Sequence, residues 1–225
     1  MSNIDKIIKS RHSVRKYLDK DIEDKKIKRI NEYLEEVNEE SKLNIQLVKD
    51  PSVFDLFLTH YGNCNAKYFF ALIGRKSKDL EMKIGYYGEK IVLKMQELGL
   101  NTCWMTGTYS KRNISVDIDK NERLIGVIAL GYGVNDGVPS PSKSFSQVSL
   151  THDNIPLWYI KGIEYALLAP SGLNRQPFKF ELIDEDTVKV HPGTSFLGTN
   201  KIDAGIAKYH FELGALSEGK KVIFK

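Results

Sequence analysis

The chain has 225 residues, of which 41% are apolar and 10% aromatic, enough for one large or two small hydrophobic cores and too apolar for a disordered protein. Its 33 lysines and arginines are intermingled with 29 aspartates and glutamates, so the net charge of +4 does not indicate nucleic-acid binding. No apolar stretch approaches the roughly 20 residues of a membrane span, and the N-terminal segment mixes charges into its apolar residues, unlike a signal peptide. We therefore expect a globular, cytoplasmic protein.

The number and spacing of the cysteines, histidines and glycines exclude several kinds of site. Cys64 and Cys103 are too few and too far apart for a disulfide framework or a zinc knuckle, and we expect buried free thiols. The five histidines show no metal-ligand spacing, so we expect no metal site. Gly131-Tyr132-Gly133 lacks the third glycine and the helix of a dinucleotide fingerprint. We expect His210, on the apolar face of the last helix, to be a hydrogen-bonded core residue.

Hydrophobic periodicity predicts alternating helices and strands, which places the chain in the α+β class. The predicted helices cover 3–9, 21–36, 84–98, 155–168 and 202–216, and the predicted strands cover 44–48, 69–74, 102–105, 124–130, 178–183, 187–191 and 222–224. Gly99 is expected to be the left-handed cap of the third helix. Residues 131–144, rich in glycine, proline and serine, are predicted to form a loop. Small residues in the last helix predict close packing against another helix.

The order helix, strand, long helix, strand occurs in both halves of the chain. Glu97-Leu98-Gly99 before Thr102-Cys103-Trp104 resembles Ser217-Glu218-Gly219 before Val222-Ile223-Phe224. We predict a first half, 1–150, and a shortened second half, 151–225, packed as one compact unit. This repetition suggests a degenerate internal duplication.

Two segments carry the polar groups of a candidate binding site. Arg11-His12-Ser13-Val14-Arg15 offers two guanidinium forks and a hydroxyl to a phosphate, although such a run alone is more often a solvated helix end. Ala169-Pro170-Ser171-Gly172-Leu173-Asn174-Arg175-Gln176-Pro177-Phe178 supplies short polar side chains for a ring edge and a polar tail. The alternative is an ordinary helix-to-strand turn. Because Pro177 restricts the residue before it, Gln176 is expected to be extended.

Together these segments resemble the nitroreductase family, in which one flavin mononucleotide (FMN) takes the arginine-serine segment from one subunit of a homodimer and the A-P-S-x-x-N-x-Q-P segment from the other. Gly99-Leu100-Asn101-Thr102-Cys103-Trp104-Met105-Thr106-Gly107 resembles that family's G-L-G-T-C-W-x-G-G segment, whose backbone approaches flavin N5. Lys143 lies where many relatives place a basic residue near the flavin phosphate or N1 edge. The resemblance implies a nitroreductase-like fold, with a central mixed sheet flanked by helices. It implies these FMN-binding residues: Arg11, His12, Ser13, Arg15, Trp104, Met105, Thr106, Gly107, Lys143, Pro170, Ser171, Gly172, Asn174 and Gln176.

The chain departs from the family pattern in an informative way. The gap between the first two segments is far longer than in ordinary members, Thr106 replaces a small or acidic residue, and Phe145 stands where a second basic residue is usual. The first half has Val37-Asn38-Glu39-Glu40-Ser41-Lys42 in place of A-P-S-x-x-N, and the second half lacks the arginine-serine segment. These complementary losses predict that one chain resembles the usual dimer and completes a single site without a partner subunit.

The activity implied by the resemblance is ping-pong hydride transfer. NAD(P)H would reduce the flavin at N5, and an electron-poor small molecule such as a nitroaromatic or a quinone would reoxidise it. No side-chain acid or base is required. A non-catalytic flavin-binding or sensing protein, or a structural remnant that has lost flavin, would keep the same fold. The acceptor and the choice between NADH and NADPH stay open.

Overall fold

The structure is a computed structural model that describes residues 3–55, 64–195 and 197–225. Within these residues the protein contains both helices and strands, which confirms the α+β class. The helices are α1 (Asn3–Ser10), α2 (Asp24–Ser41), α3 (Leu80–Glu97), α4 (Phe145–Val148), α5 (Leu157–Ala166) and α6 (Asn200–Ser217). The strands are β1 (Gln46–Lys49), β2 (Tyr68–Arg75), β3 (Asn101–Met105), β4 (Glu122–Gly131), β5 (Lys179–Leu182), β6 (Thr187–His191) and β7 (Ile223–Phe224).

The chain divides into two compact units, each with its own sheet. The four-strand unit comprises Ser10–Leu80 and Lys90–Pro139, and the three-strand unit comprises Met1–Lys9, Glu81–Glu89 and Ser140–Lys225. In the described part of both units, no helix has the length and apolar composition required to cross a membrane.

The four-strand unit contains an antiparallel sheet in the order β1-β2-β4-β3. The central strands β2 and β4 are predominantly apolar, and Phe69, Ala71, Val127 and Ala129 are fully buried. Because both edges of β4 are paired, its backbone groups are satisfied by β2 on one side and β3 on the other. Among the described strands, β3 pairs with β4 alone and is an edge strand of this sheet.

Helix α2 begins three residues later and ends five residues later than predicted. Its buried face continues from Ile30 and Leu34 to Val37 and Ser41, because these positions keep helical spacing. Lys42, with φ 55°, ends the helix in a left-handed cap and donates its N–H to the Asn38 carbonyl. The polar residues before Ser41 do not break the helix, since they lie mainly on its exposed side.

The three-strand unit contains a mixed sheet, in which β5 and β6 are antiparallel and β6 and β7 are parallel. Helices α5 and α6 pack closely, as the small residues of α6 predict: a side chain at Gly214 would overlap the Lys161 carbonyl, and one at Gly162 would meet the Phe211 ring. Phe211 in turn stacks on Phe180 of β5, with ring centroids 4.7 Å apart. Aromatic packing therefore joins the sheet to α6.

Helices α3 and α6 cross with their backbones in contact inside the three-strand unit. A Cβ atom added at Gly85 would overlap the carbonyl of Ile202, and one added at Gly205 would overlap the carbonyl of Met82. Each helix has 18 residues, and each glycine lies five residues after the first residue of its helix. The contact is thus reciprocal, with equivalent positions of the two helices facing each other.

His210 and Glu89 form a fully buried pair beside this crossing. Both side chains are 0% exposed, His210 Nε2 lies 2.9 Å from Glu89 Oε1, and His210 Nδ1 lies 3.1 Å from the Tyr165 carbonyl. Because a carbonyl oxygen can only accept a hydrogen bond, Nδ1 must carry a hydrogen. The contact between Nε2 and Glu89 Oε1 then requires a second hydrogen, carried by one of these two atoms. The prediction of a hydrogen-bonded core histidine is confirmed. Cys64 and Cys103 are buried as free thiols.

We predict that Gly85→Ala and Gly205→Ala each lower the free energy of unfolding by about 3 kcal/mol, because a methyl group forces the two helix backbones apart. Urea unfolding followed by circular dichroism measures the change. Gly107→Ala is the matched control, since a Cβ there meets no described atom within 4 Å, and it should change stability by less than about 0.5 kcal/mol. Equal stability of all three variants would contradict the close crossing.

Candidate functional site

Residues 11–15 follow α1 and lie against the edge strand of the four-strand unit. Ser13 forms a parallel bridge with Thr102, and the Val14 N–H donates to the Thr102 carbonyl over 3.0 Å. The buried side chains of Val14 and Tyr17 anchor the segment in the core of this unit. The sequence therefore places alternate polar side chains beside the beginning of β3.

Arg11, Ser13 and Arg15 all affect the pKa of one buried thiol, that of Cys103. Burial raises the pKa of Cys103, while the charges of Arg15 and Arg11 and a hydrogen bond with Ser13 act to lower it. Arg11 is only 8% exposed, whereas Arg15 is exposed. The structure thus brings together the three groups that the sequence assigns to a phosphate.

His12 lies close enough to Arg11 to be affected by its charge. Burial lowers the pKa of its imidazole, Arg11 lowers it further, and Asp136 acts in the opposite direction. Gly137 adopts a left-handed φ of 77° against this residue, and a Cβ there would lie 2.7 Å from His12 Cβ. The loop after β4 therefore packs directly on the arginine-serine segment.

The other end of β3 leads into an open stretch of backbone. Met105 is buried, Trp104 and Thr106 are half-buried, and Gly107 is exposed. An added Cβ at Gly107 would meet no described atom within 4 Å. A ligand can therefore approach the backbone here without meeting a side chain at position 107.

In the three-strand unit, the second predicted segment forms a loop with an unusual backbone, Ser171–Gln176, which we call the strained loop. Leu173, Asn174 and Gln176 have φ values of 52°, 54° and 45°. The expectation that Pro177 makes Gln176 extended is wrong. Gln176 is 2% exposed, and its side-chain amide accepts from the Lys143 N–H and donates to the Leu167 carbonyl. These buried hydrogen bonds outweigh the local preference of a residue before proline.

Lys143 contacts this loop directly. Its ammonium donates to the Gln176 carbonyl over 2.9 Å, in addition to the bond made by its backbone N–H. An ammonium has three hydrogens, so this contact leaves capacity for a further acceptor. Lys143 therefore holds the strained loop, whatever else it binds.

The remaining predicted residues of the loop have partners of their own. Ser171 Oγ accepts from the Gln176 N–H over 2.9 Å, and the Asn174 amide donates to the Pro141 carbonyl over 2.6 Å. Pro170 is half-buried and lies four residues after the end of α5, so it follows the helix without ending it. The hydroxyl hydrogen of Ser171 and the amide oxygen of Asn174 are not used in these bonds.

Sequence reasoning missed Asp203, a buried acid on α6. Its Oδ1 accepts from the Gly172 N–H over 2.9 Å, and its Oδ2 accepts from the Thr199 hydroxyl over 3.1 Å. Burial raises the pKa of this carboxyl, and the two hydrogen bonds act against the rise. The available sequence signal was an acid within the apolar run Ile202-Asp203-Ala204-Gly205-Ile206.

Comparison with known proteins identifies the family. The family model described as "Putative TM nitroreductase" matches residues 3–215. The chain belongs to this nitroreductase family. No curated protein sequence gives a significant match.

Solved structures share the nitroreductase fold. A putative nitroreductase from Thermotoga maritima MSB8 aligns over 98% of this chain and 87% of its own, with 22% identity and a TM-score of 0.68. A nitroreductase family protein from Streptococcus pneumoniae TIGR4 aligns over 65% of this chain and 98% of its own, with 14% identity and a TM-score of 0.53. A putative nitroreductase from Exiguobacterium sibiricum 255-15, solved in complex with FMN, aligns over 65% and 96%, with 14% identity and a TM-score of 0.52. At these identities the similarity establishes the fold.

Proposed function

We propose that this nitroreductase family member is an FMN-dependent oxidoreductase that transfers hydride from NAD(P)H, through flavin N5, to an electron-poor acceptor such as a nitroaromatic or a quinone. The observation that carries the proposal is the grouping of Arg11, Ser13 and Arg15 beside the beginning of β3. Among the described residues, no cluster of histidine, cysteine, aspartate and glutamate could hold a metal ion.

These groups fit a phosphate ester. Two guanidinium groups and a hydroxyl supply charge-assisted hydrogen bonds, and the half-buried setting strengthens them relative to water. The open backbone at Gly107 lies five residues beyond Thr102, a separation of at most about 17 Å along an extended chain. We assign the phosphate to the arginine-serine segment, with His12 beside it. We assign the ring to the backbone of Trp104, Met105, Thr106 and Gly107.

The strained loop fits the other polar edge of such a ligand. Pro170, Ser171, Gly172, Asn174 and Gln176 supply the family segment, and the loop is held in shape by the protein itself. Pre-formed donors and acceptors reduce the entropy lost when a ligand binds. Lys143 adds a positive charge next to Gln176, which would favour a ligand that gains electrons.

Bound FMN would supply a ring that accepts and returns a hydride. The contribution of the chain is to orient the ring, to neutralise the phosphate and to leave one approach open at Gly107. No described side chain is assigned as a general acid or base.

We further propose, from the sequence motifs, that both segments of one chain contact one flavin. The reciprocal crossing of α3 and α6 at equivalent glycines supports an internal duplication, because two copies of one ancestral helix would meet at the same position of each copy. The Streptococcus pneumoniae protein also aligns over nearly its whole chain, 98%, but over only 65% of this one.

In the described part of the first half, the segment that stands in place of A-P-S-x-x-N belongs to a helix. Residues 37–41 of this segment are the last turns of α2. Asn38 uses its side chain to bind both the N–H and the carbonyl of Ile45, each over 2.8 Å. The amides of Asn44 and Gln46 donate to the Asp117 carbonyl. These contacts support one site per chain.

The first prediction tests flavin binding and reduction together. The purified protein should bind about one FMN per chain and should bind riboflavin at least about tenfold more weakly, because riboflavin lacks the phosphate. Anaerobic NADH or NADPH should bleach the flavin absorbance, and a quinone or nitroaromatic should restore it. Absence of binding at micromolar FMN would contradict the proposal. Binding without bleaching over minutes would favour a flavin-binding or sensing protein.

The second prediction uses the open space at Gly107. Gly107→Leu should leave the free energy of unfolding within about 0.5 kcal/mol of wild type, since no described atom lies within 4 Å of a Cβ there. It should slow flavin reduction by at least about tenfold, because the side chain occupies the approach to the ring. Stopped-flow absorbance measures the rate, and Gly107→Ala is the control. An unchanged rate in the leucine variant would remove Gly107 from the site.

The third prediction tests whether the site is completed within one chain. Arg15→Ala and Asn174→Ala should each weaken FMN binding, and mixing the two variants should rescue nothing. If two chains shared a site, a mixture would form some heterodimers with one intact site and recover part of the binding. Fluorescence titration of the mixture measures recovery, after subunit exchange has been confirmed with tagged chains. Partial recovery would contradict the single-chain site.

A further inference from the structure

The strained loop needs an external source of stability. Three of its residues, Leu173, Asn174 and Gln176, are left-handed and none of them is glycine. A left-handed conformation is disfavoured for residues with a Cβ atom, most of all for a bulky one such as Leu173, which is also 70% exposed and gains little from burial. Backbone of this kind persists where surrounding contacts fix it.

Asp203 provides such a contact from outside the loop. It is 3% exposed, lies in the first turn of α6, and accepts the Gly172 N–H at the start of the strained loop. A buried carboxylate forms a stronger hydrogen bond with a backbone N–H than a neutral acceptor does. The N-terminal end of α6 also favours a negative charge at this position.

Thr199, the N-cap residue of α6, completes the arrangement. Its hydroxyl donates to the second carboxylate oxygen of Asp203 over 3.1 Å, so both oxygens have a hydrogen-bond donor. A Cβ atom at Gly172 would lie 2.7 Å from Thr199 Oγ1, closer than such atoms approach. The absence of a side chain at Gly172 therefore lets the loop backbone reach the buried acid.

Two other hydrogen-bond partners of the strained loop lie on a loop and not on a helix. Lys143 and the Pro141 carbonyl, which hold Gln176 and Asn174, belong to the loop of residues 132–144. Asp203 belongs to α6, whose position is fixed by packing against α5. It is thus the rigid anchor for the beginning of the strained loop.

We propose that Asp203 is a positioning residue for the flavin, a buried carboxylate that holds Ser171–Gln176 in its binding conformation before the ligand arrives. This inference rests on the proposed function. Its consequence is that Asp203 contributes to FMN affinity through the loop backbone. Without the anchor, the binding conformation would be a smaller fraction of the population, and the apparent affinity would fall by that fraction.

The experiment compares FMN binding in Asp203→Ala and Asp203→Asn. Alanine removes both hydrogen bonds, and FMN should bind about 10-fold to 100-fold more weakly. Asparagine has a similar shape, can still accept from the Gly172 N–H and can donate to Thr199 Oγ1, so the loss should be less than about 5-fold. Fluorescence titration gives the affinity, and the visible circular dichroism of bound FMN, which responds to how the ring is held, should change in the alanine variant and return in the asparagine variant.

Ile206→Ala is the matched control, because Ile206 is buried on α6 and its backbone faces Gly85 of α3. It should lower the unfolding temperature while leaving FMN affinity and the dichroism of bound FMN unchanged. Equal weakening of FMN binding by Ile206→Ala and Asp203→Ala, at matched unfolding temperatures, would reduce Asp203 to a general structural role and overturn the inference. Wild-type affinity in Asp203→Ala would also overturn it.

Amide hydrogen exchange separates this inference from the proposed function. Without any ligand, residues 172–176 should exchange faster in Asp203→Ala than in wild type, and Ile206→Ala should not produce this local change. If wild type fails to bind FMN but the exchange result holds, the proposed function is wrong and the anchoring by Asp203 stands. If exchange in the loop is unchanged, the anchoring is wrong whether or not FMN binds.

Discussion

The contact between the backbones of α3 and α6 is the constraint on which much of the three-strand unit depends. It requires a glycine on each helix, and it fixes α6 beside residues 81–89 of α3. With α6 fixed, His210 meets Glu89, Phe211 stacks on Phe180, and Asp203 reaches the strained loop. A small displacement of α6 would break the buried polar contacts and the aromatic contact together, because close-packed interiors do not absorb shifts gradually.

The types of the regular elements could be predicted from apolar spacing, but several ends could not. Helix α3 begins at Leu80, a turn before the predicted start, because Leu80 is buried although its neighbours are polar. Gly99 is left-handed after α3, as its position predicted. The short helix α4 was missed, although Ser144 and Gln147 form a capping box that marks its beginning. Tertiary contacts set these boundaries, and local propensity alone does not contain them.

The candidate site, too, could be predicted from the sequence only in part. Motif resemblance selected the segments, and in the structure the first of them lies against the beginning of β3, where Ser13 bridges Thr102. The predicted conformation of Gln176 was wrong, because the rule for residues before proline does not include Lys143 and Leu167, its hydrogen-bond partners 33 and 9 residues away in the sequence. Asp203 was missed for the same reason, since its role appears only when Gly172 is brought beside α6.

The two glycines at the helix crossing also differ from their counterparts in a symmetric pair of identical subunits. In such a pair, one codon determines both sides of the axis, so any mutation is made twice and must suit both positions. Gly85 and Gly205 are encoded separately. Each side of this crossing can therefore mutate alone, and a harmful change on one helix can be compensated by a different change on the other. Under the proposed internal duplication, one half of the chain can lose a motif while natural selection maintains the other.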